Sequence, residues 1–166
     1  MLLEERVYRQ SAMREHLLQR EQLIPAPLDR VFAFFSDAAN LQRLTPAYLN
    51  FRILTPLPIV MQVGTLIDYR ISLHGLPLRW RTRISVWEPG VRFVDEQLKG
   101  PYRLWVHEHT FEATSGGTIA RDSVRYAHFG GPLVHRSFIR PKLEEIFDFR
   151  KAAMGEPESA PSRLAE

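Results

Sequence analysis

A change of hydrophobic period constrains this 166-residue chain more than any other feature. Leu28, Val31, Phe32 and Phe35 fall at i, i+3, i+4 and i+7, one apolar face of a helix. From Leu49 onward the period drops to two. Turn signals then break the alternation at His74-Gly75, Glu88-Pro89-Gly90, Lys99-Gly100-Pro101 and Ser115-Gly116-Gly117. Six strands follow, over 49–55, 65–74, 77–87, 91–99, 102–113 and 118–128. His16 to Ile24 is an earlier strand, closed by Pro25-Ala26-Pro27, and makes seven. Strands joined by short turns pair antiparallel, so the expectation is a meander.

Two short helices are expected after the first strand. Pro27 suits the first turn of one, where its missing N–H costs nothing. The other, Ala39 to Leu44, stops before Pro46. Gly130-Gly131-Pro132 opens a long terminal helix. Ile139, Leu143, Ile146, Phe147 and Arg150 share one of its faces, and Pro141 predicts a kink. A sheet with one apolar face and a long helix with one apolar stripe bury both by packing together. The expected class is α+β: a curved antiparallel sheet of about seven strands around a long C-terminal helix. The domain is expected over 14–155, with an N-terminal extension at 1–13 and a flexible tail at 156–166, where Pro, Ser, Ala and Glu dominate. Met1 and Met13 are both open as the natural start.

Composition removes whole classes of chemistry. With no cysteine there is no disulfide scaffold, thiolate metal site or cysteine nucleophile. Hydrophobic residues at 45% and charged ones at 25% exclude a wholly disordered chain. The net charge of +3 comes from 22 basic residues interspersed with 19 acidic ones. Without a clustered basic stripe, no nucleic-acid partner is expected. The first ten residues carry charge and no apolar core, so they do not read as a secretory signal. Ile53 to Val63 is apolar but broken by Pro56 and Pro58, and is too short to span a bilayer. A soluble cytoplasmic protein is the expectation.

Alternation also sorts the faces. Leu78, Trp80, Thr82, Ile84 and Val86 point one way in the third strand of the meander, and Arg79, Arg81 and Arg83 point to solvent, within reach of Asp68, Glu96, Glu108 and Glu112. Trp87 is expected outward, near a turn. Phe93, Asp95 and Gln97 form the inward set of the next strand. Trp105, His107, His109 and Phe111 form that of 102–113, and Asp122, Val124, Tyr126 and His128 that of 118–128. Polar Asp95, Gln97, His107, His109 and Asp122 therefore sit among Tyr69, Trp80, Phe93, Trp105, Phe111 and Tyr126. Unpartnered buried polar groups are costly, so this cluster needs internal partners or a ligand. Tyr102, in the turn after Gly100-Pro101, flanks the expected pocket mouth, and Leu54 to Val63 forms a loop closing one end of the cavity.

The run FVDEQLKGPYRLWVHEHTF (93–111), with NLQRLTP (40–46), GTLIDYRISLHGLPLRW (64–80) and EEIFDFR (144–150), resembles the SRPBCC superfamily, the START, Bet v 1 and polyketide-cyclase group. It is similar to the bacterial ligand-binding branch, some members of which are labelled cell-division inhibitors and some fused to an epimerase-like domain. The resemblance implies the helix-grip fold and an apolar cavity. It does not imply a cofactor, and it leaves the ligand, any partner protein and the oligomeric state open.

Three readings of the polar cluster remain. The first is binding of a small hydrophobic molecule (lipid, isoprenoid or polyketide-like) by Tyr69, Trp80, Phe93, Tyr102, Trp105, Phe111 and Tyr126, anchored by Asp95, Gln97, His107, His109 and Asp122. The second is a cyclase or dehydratase using His107, His109, Asp95 and Asp122 as acid and base. The third is a metal at His107 and His109, which lie on one side of a strand roughly 7 Å apart at their Cα atoms. An H-x-H pair is also what a satisfied buried network needs.

Overall fold

Each strand that alternates apolar and polar residues can bury only one side, and the seven do so in a single sheet. The computed structural model describes residues 14–73 and 75–155; the expected extension 1–13, the tail 156–166 and His74 lie outside the described residues. The strands are β1 (His16–Ile24), β2 (Arg52–Ile53), β3 (Leu66–Leu73), β4 (Leu76–Glu88), β5 (Arg92–Lys99), β6 (Leu104–Thr114) and β7 (Gly117–Ala127). Their order is β1-β7-β6-β5-β4-β3-β2, antiparallel throughout. This is the expected meander, with β1 returning to pair with β7. Helix α1 (Leu28–Ser36) turns Val31, Phe32 and Phe35 inward. The C-terminal helical stretch comprises α2 (Gly131–Val134), a π turn (His135–Ile139) and α3 (Arg140–Gly155). Gly130 caps it at φ +100°, a conformation an L side chain would strain.

The interior has three zones. Against α1, Phe32 meets Phe111 edge-on at 5.4 Å between ring centroids, and Phe93 and Met154 join the same cluster. Burying a side chain of this size contributes about 1.5–3 kcal/mol. Midway, Trp80, Trp105, Tyr126, Leu143 and Phe147 pack between sheet and α3. At the far edge, Ile59 and Met61 of the long loop cover Ala38, Ile67 and Ile84. The outer face is laced by ion pairs. Arg81 forks onto Asp68 with two 2.8 Å bonds, and Arg83 reaches Glu96 at 2.9 Å. Glu108 and Glu112 pair instead with Arg92 and Arg121.

Four local expectations need correction. The second short helix is a 3-10 turn over Ala38–Gln42, held by Asp37 accepting from the Ala39 N–H at 2.9 Å. Leu49 belongs to another 3-10 turn, Ala47–Leu49, and Asn50 at φ +44° redirects the chain, so the expected strand 49–55 shrinks to Arg52–Ile53. Trp87 points inward, not outward. The β4–β5 register slips between Ile84 and Val86, leaving Ser85 as an extra residue that reverses the alternation after it. Trp87 thereby pairs with Phe93 and packs on Phe32 at 5.4 Å, while Val86, expected inward, pairs with Val94 on the other side. Finally, the irregularity demanded by Pro141 is the π turn just before it. Proline offers no N–H to the Ser137 carbonyl, and its ring crowds that carbonyl, so the backbone widens there. Among the described residues, no helix is long and apolar enough to cross a membrane.

Candidate functional site

Between the sheet and α3 lies a cavity of about 620 Å3. Its walls are the inward residues of β3 to β6 on one side and Ile139, Leu143, Ile146, Phe147 and Arg150 on the other. The 3-10 turns and Met61 close one end, as the proline-broken loop was expected to do. Aromatic rings make one wall: Tyr69 stacks on Trp80 at 5.7 Å, and Tyr102 packs on Trp105 at 4.8 Å. Burial, then the Asp95 charge, push the Tyr69 phenol well above its ordinary pKa, so it stays a neutral hydroxyl.

The polar cluster sits where β5, β6 and β7 run side by side. Asp95 is directly opposite His107, and His109 directly opposite Asp122. The good hydrogen bonds are nevertheless diagonal. His107 Nε2 meets Asp122 Oδ1 at 2.8 Å, and His109 Nε2 meets Asp95 Oδ2 at 3.1 Å. Carboxylates only accept, so in both rings Nε2 carries the donated proton. The direct pairs are weaker: His107 Nδ1 is 3.5 Å from Asp95, and His109 Nδ1, 3.0 Å from Asp122, is out of line for a hydrogen bond. The imidazoles lie 3.7 Å apart between centroids, so each ring touches both carboxylates.

Arg150 completes the group from α3. It is 9% exposed, its guanidinium lies 5.2 Å over the Phe35 ring, and its Nε and Nη2 are buried without a partner among the described residues. Burial pushes Asp122 up, but Arg150 and the two histidines outweigh it and hold the carboxyl well below its usual range. Asp95 follows the same pattern: burial raises it, while His107, His109 and Arg150 bring it below the ordinary value. Burial, then His109, lower His107 despite the two carboxylates. Asp95, Asp122, His107 and His109 form one contacting group. Asp95, at 17% side-chain exposure against 4–6% for the histidines, is their most accessible member.

Of the residues expected to bind ligand, Tyr69, Trp80, Phe93, Asp95, Tyr102, Trp105, His107 and His109 line this cavity. Four are placed elsewhere. Phe111 packs in the α1 core against Phe32 and Phe35. Tyr126 is buried beside the cavity with its hydroxyl 2.9 Å from His135 Nε2. Asp122 stands off the cavity wall, lining a small recess with Arg20, Phe147 and Arg150. Gln97 spends its amide on the β5–β6 turn, donating to the Tyr102 carbonyl at 2.7 Å and accepting from the Tyr102 N–H at 3.3 Å.

A metal at Asp95, His107 and His109, whose ligand atoms lie within 4.8 Å of one another, would break the His109–Asp95 hydrogen bond; the histidine nitrogens already face carboxylates. Sequence reasoning missed Arg150 as a polar wall residue and did not bring His128 together with His16 and His135. An arginine at the end of an apolar helical stripe was the visible signal for the first. Strand pairing brings His16 opposite Tyr126 and so near His128, and the start of the C-terminal helical stretch adds His135.

The family model described as polyketide cyclase/dehydrase and lipid transport matches residues 24–154. Among solved structures, an aromatase/cyclase from a Streptomyces species is similar at 15% identity and a TM-score of 0.67, over 85% of this chain and 92% of that one. A di-domain aromatase/cyclase of the steffimycin biosynthetic pathway is similar at 13% identity and 0.66, over 90% of this chain and 52% of that one. A Chromobacterium violaceum protein is similar at 16% identity and 0.63, over 82% and 96%. No curated protein matches the chain. Seven antiparallel strands gripping a long C-terminal helix, together with the family match over residues 24–154, identify the chain as a member of the polyketide cyclase/dehydrase and lipid transport family, within the SRPBCC superfamily.

Proposed function

We propose that this protein binds one small hydrophobic molecule of lipid, isoprenoid or polyketide type in the interior cavity, with Asp95, His107 and His109 as its polar anchor. The observation that carries the reading is the cavity itself. About 620 Å3 is within the range of small-molecule sites, and its wall is predominantly apolar. Two further groups narrow the ligand. Trp80 Nε1 and Arg150 Nε and Nη2 are buried on the cavity wall without partners among the described residues, and both side chains only donate. Each unpaired donor costs roughly 1–3 kcal/mol, so a ligand carrying acceptor oxygens gains what a plain hydrocarbon cannot.

A titration with the apolar fluorophore N-phenyl-1-naphthylamine tests this. The expected result is one site per chain, with energy transfer from Trp80 and Trp105, abolished by the cavity-filling Ile71→Trp. Absence of saturable binding, or binding unaffected by Ile71→Trp, refutes it.

The second reading is a cyclase or dehydratase in the same cavity, favoured by the doubly contacted imidazoles. Asp95, which lines the cavity and accepts from His109 Nε2, takes the role of base toward a ligand proton, with the imidazoles holding its carboxylate in place. Turnover of a polyketide-like carbonyl substrate, with a pH profile altered by Asp95→Asn, is its signature; binding without conversion leaves the first reading.

A further inference from the structure

Three histidines that take no part in the Asp–His network meet beside the start of the C-terminal helix. His16 opens β1, His128 follows β7, and His135 begins the π turn. One nitrogen from each lies within 4.8 Å of the other two. The rings are nearly parallel: His16 and His135 stack at 3.5 Å, and His128 lies 5.4 Å and 5.3 Å from them.

We propose that His16, His128 and His135 form a binding site for a divalent transition-metal ion of the zinc class. The hydrogen bonds behind the rings are what distinguish this cluster from simple packing. The Phe129 carbonyl only accepts, so its 2.7 Å contact fixes the His128 proton on Nδ1 and leaves Nε2 as a lone pair. That Nε2 is buried without a partner among the described residues. Tyr126 Oη lies 2.9 Å from His135 Nε2, and with Nε2–H donating to that oxygen Nδ1 is the lone pair that faces an ion. Metal-ligating imidazoles are held in this way, by a carbonyl or another polar group on the second nitrogen. Tetrahedral coordination at about 2.0–2.1 Å puts nitrogens roughly 3.3 Å apart, so the separations close by about 1.5 Å at most, and the His16 and His135 rings must turn out of their 3.5 Å stack for their in-plane lone pairs to converge.

The surroundings select the ion. Arg14 and Arg140 act on His16 and His135, and Arg140 is paired with Glu144 at 2.9 Å. A hard cation such as Ca2+ or Mg2+ finds no oxygen ligands in the triad. Neutral imidazoles suit Zn2+, Cu2+ or Ni2+, which bind by coordination against an unfavourable field. Three ligands leave a fourth position open, and because His128 lines the cavity the ion would border the ligand space.

The test uses the full chain without a histidine tag, stripped by chelator and titrated with Zn2+ and, for its visible spectrum, Co2+. One ion per chain is expected, with the intense bands of tetrahedral Co2+. His128→Ala should lose stoichiometric binding and Tyr126→Phe should weaken it about tenfold or more, with far-UV circular dichroism unchanged. If His128→Ala fails to fold, His16→Gln at the strand's first residue serves in its place. No stoichiometric uptake by the wild-type chain overturns the proposal. So does an ion that survives these substitutions but is lost with Asp95→Asn, which would assign it to the other cluster.

Discussion

Asp122→Ala is the most informative single perturbation of the buried network. The carboxylate accepts from His107 at 2.8 Å, contacts His109 at 3.0 Å and offsets the positive charge of Arg150. Alanine removes all three relationships and leaves the buried guanidinium, whose Nε and Nη2 are already unpartnered, without the charge that offsets it. Removing one partner of a buried charge pair costs about 3–5 kcal/mol, a large share of the roughly 5–15 kcal/mol that a domain holds in total. Asp122→Asn keeps an acceptor oxygen but not the charge, and should cost about 1–3 kcal/mol. Urea unfolding at pH 7, followed by tryptophan fluorescence and circular dichroism, reads both. With a slope of about 2 kcal/mol per molar, the alanine variant should move the midpoint by on the order of 2 M at unchanged slope. A double-mutant cycle with His107→Ala should show coupling above about 0.5 kcal/mol. If both Asp122 variants stay within about 0.5 kcal/mol of wild type, the charged network does not hold this end of the fold, and the electrostatic reasoning fails.

Three further outcomes follow from the same geometry. The His107 pKa is lowered in the folded state, so between its ordinary value near 6.5 and that lower value the unfolded chain binds more protons. Stability is then fully present above pH 6.5 and falls as pH drops, by up to about 1.4 kcal/mol per unit for this group; the depressed Asp95 and Asp122 extend the loss below the carboxylate range. A pH series of urea midpoints checks this, and a flat profile from pH 7 to 5 contradicts it. Gly117→Ala should destabilise by more than about 1 kcal/mol, because φ is +133° and the new Cβ would collide with the Ile24 carbonyl; a neutral effect on the thermal midpoint refutes the turn geometry. Trp87→Ala should cost about 3 kcal/mol through lost contact with Phe32 and Phe93. A loss under about 0.5 kcal/mol would put Trp87 back on the outer face.

Strand faces were legible because period-two alternation survives any tertiary context that keeps the register. Trp105, His107, His109 and Phe111 are all inward for that reason. Alternation names a face, however, and not what covers it. Phe111 shares its face with His107, yet α1 covers one stretch of β6 and the cavity the other. One extra residue at Ser85 sufficed to reverse Trp87, and nothing in the local sequence marks that bulge. Gln97 was misassigned because a side chain next to a turn can serve the turn's backbone instead of the cavity. Arg150 and the histidine triad depend on which elements meet in space. Helical spacing placed Arg150 on the inward stripe, but not its guanidinium beside Asp122, nor His16 against His135.

The central claim is that the cavity exists to hold a ligand, and native mass spectrometry of the chain recovered from its own host tests it most directly. One non-covalently held small molecule per chain, released on denaturation and reduced in occupancy by His107→Ala, is the predicted spectrum. A bare chain mass under the gentlest conditions, with no uptake of host lipid extract added back, would contradict it.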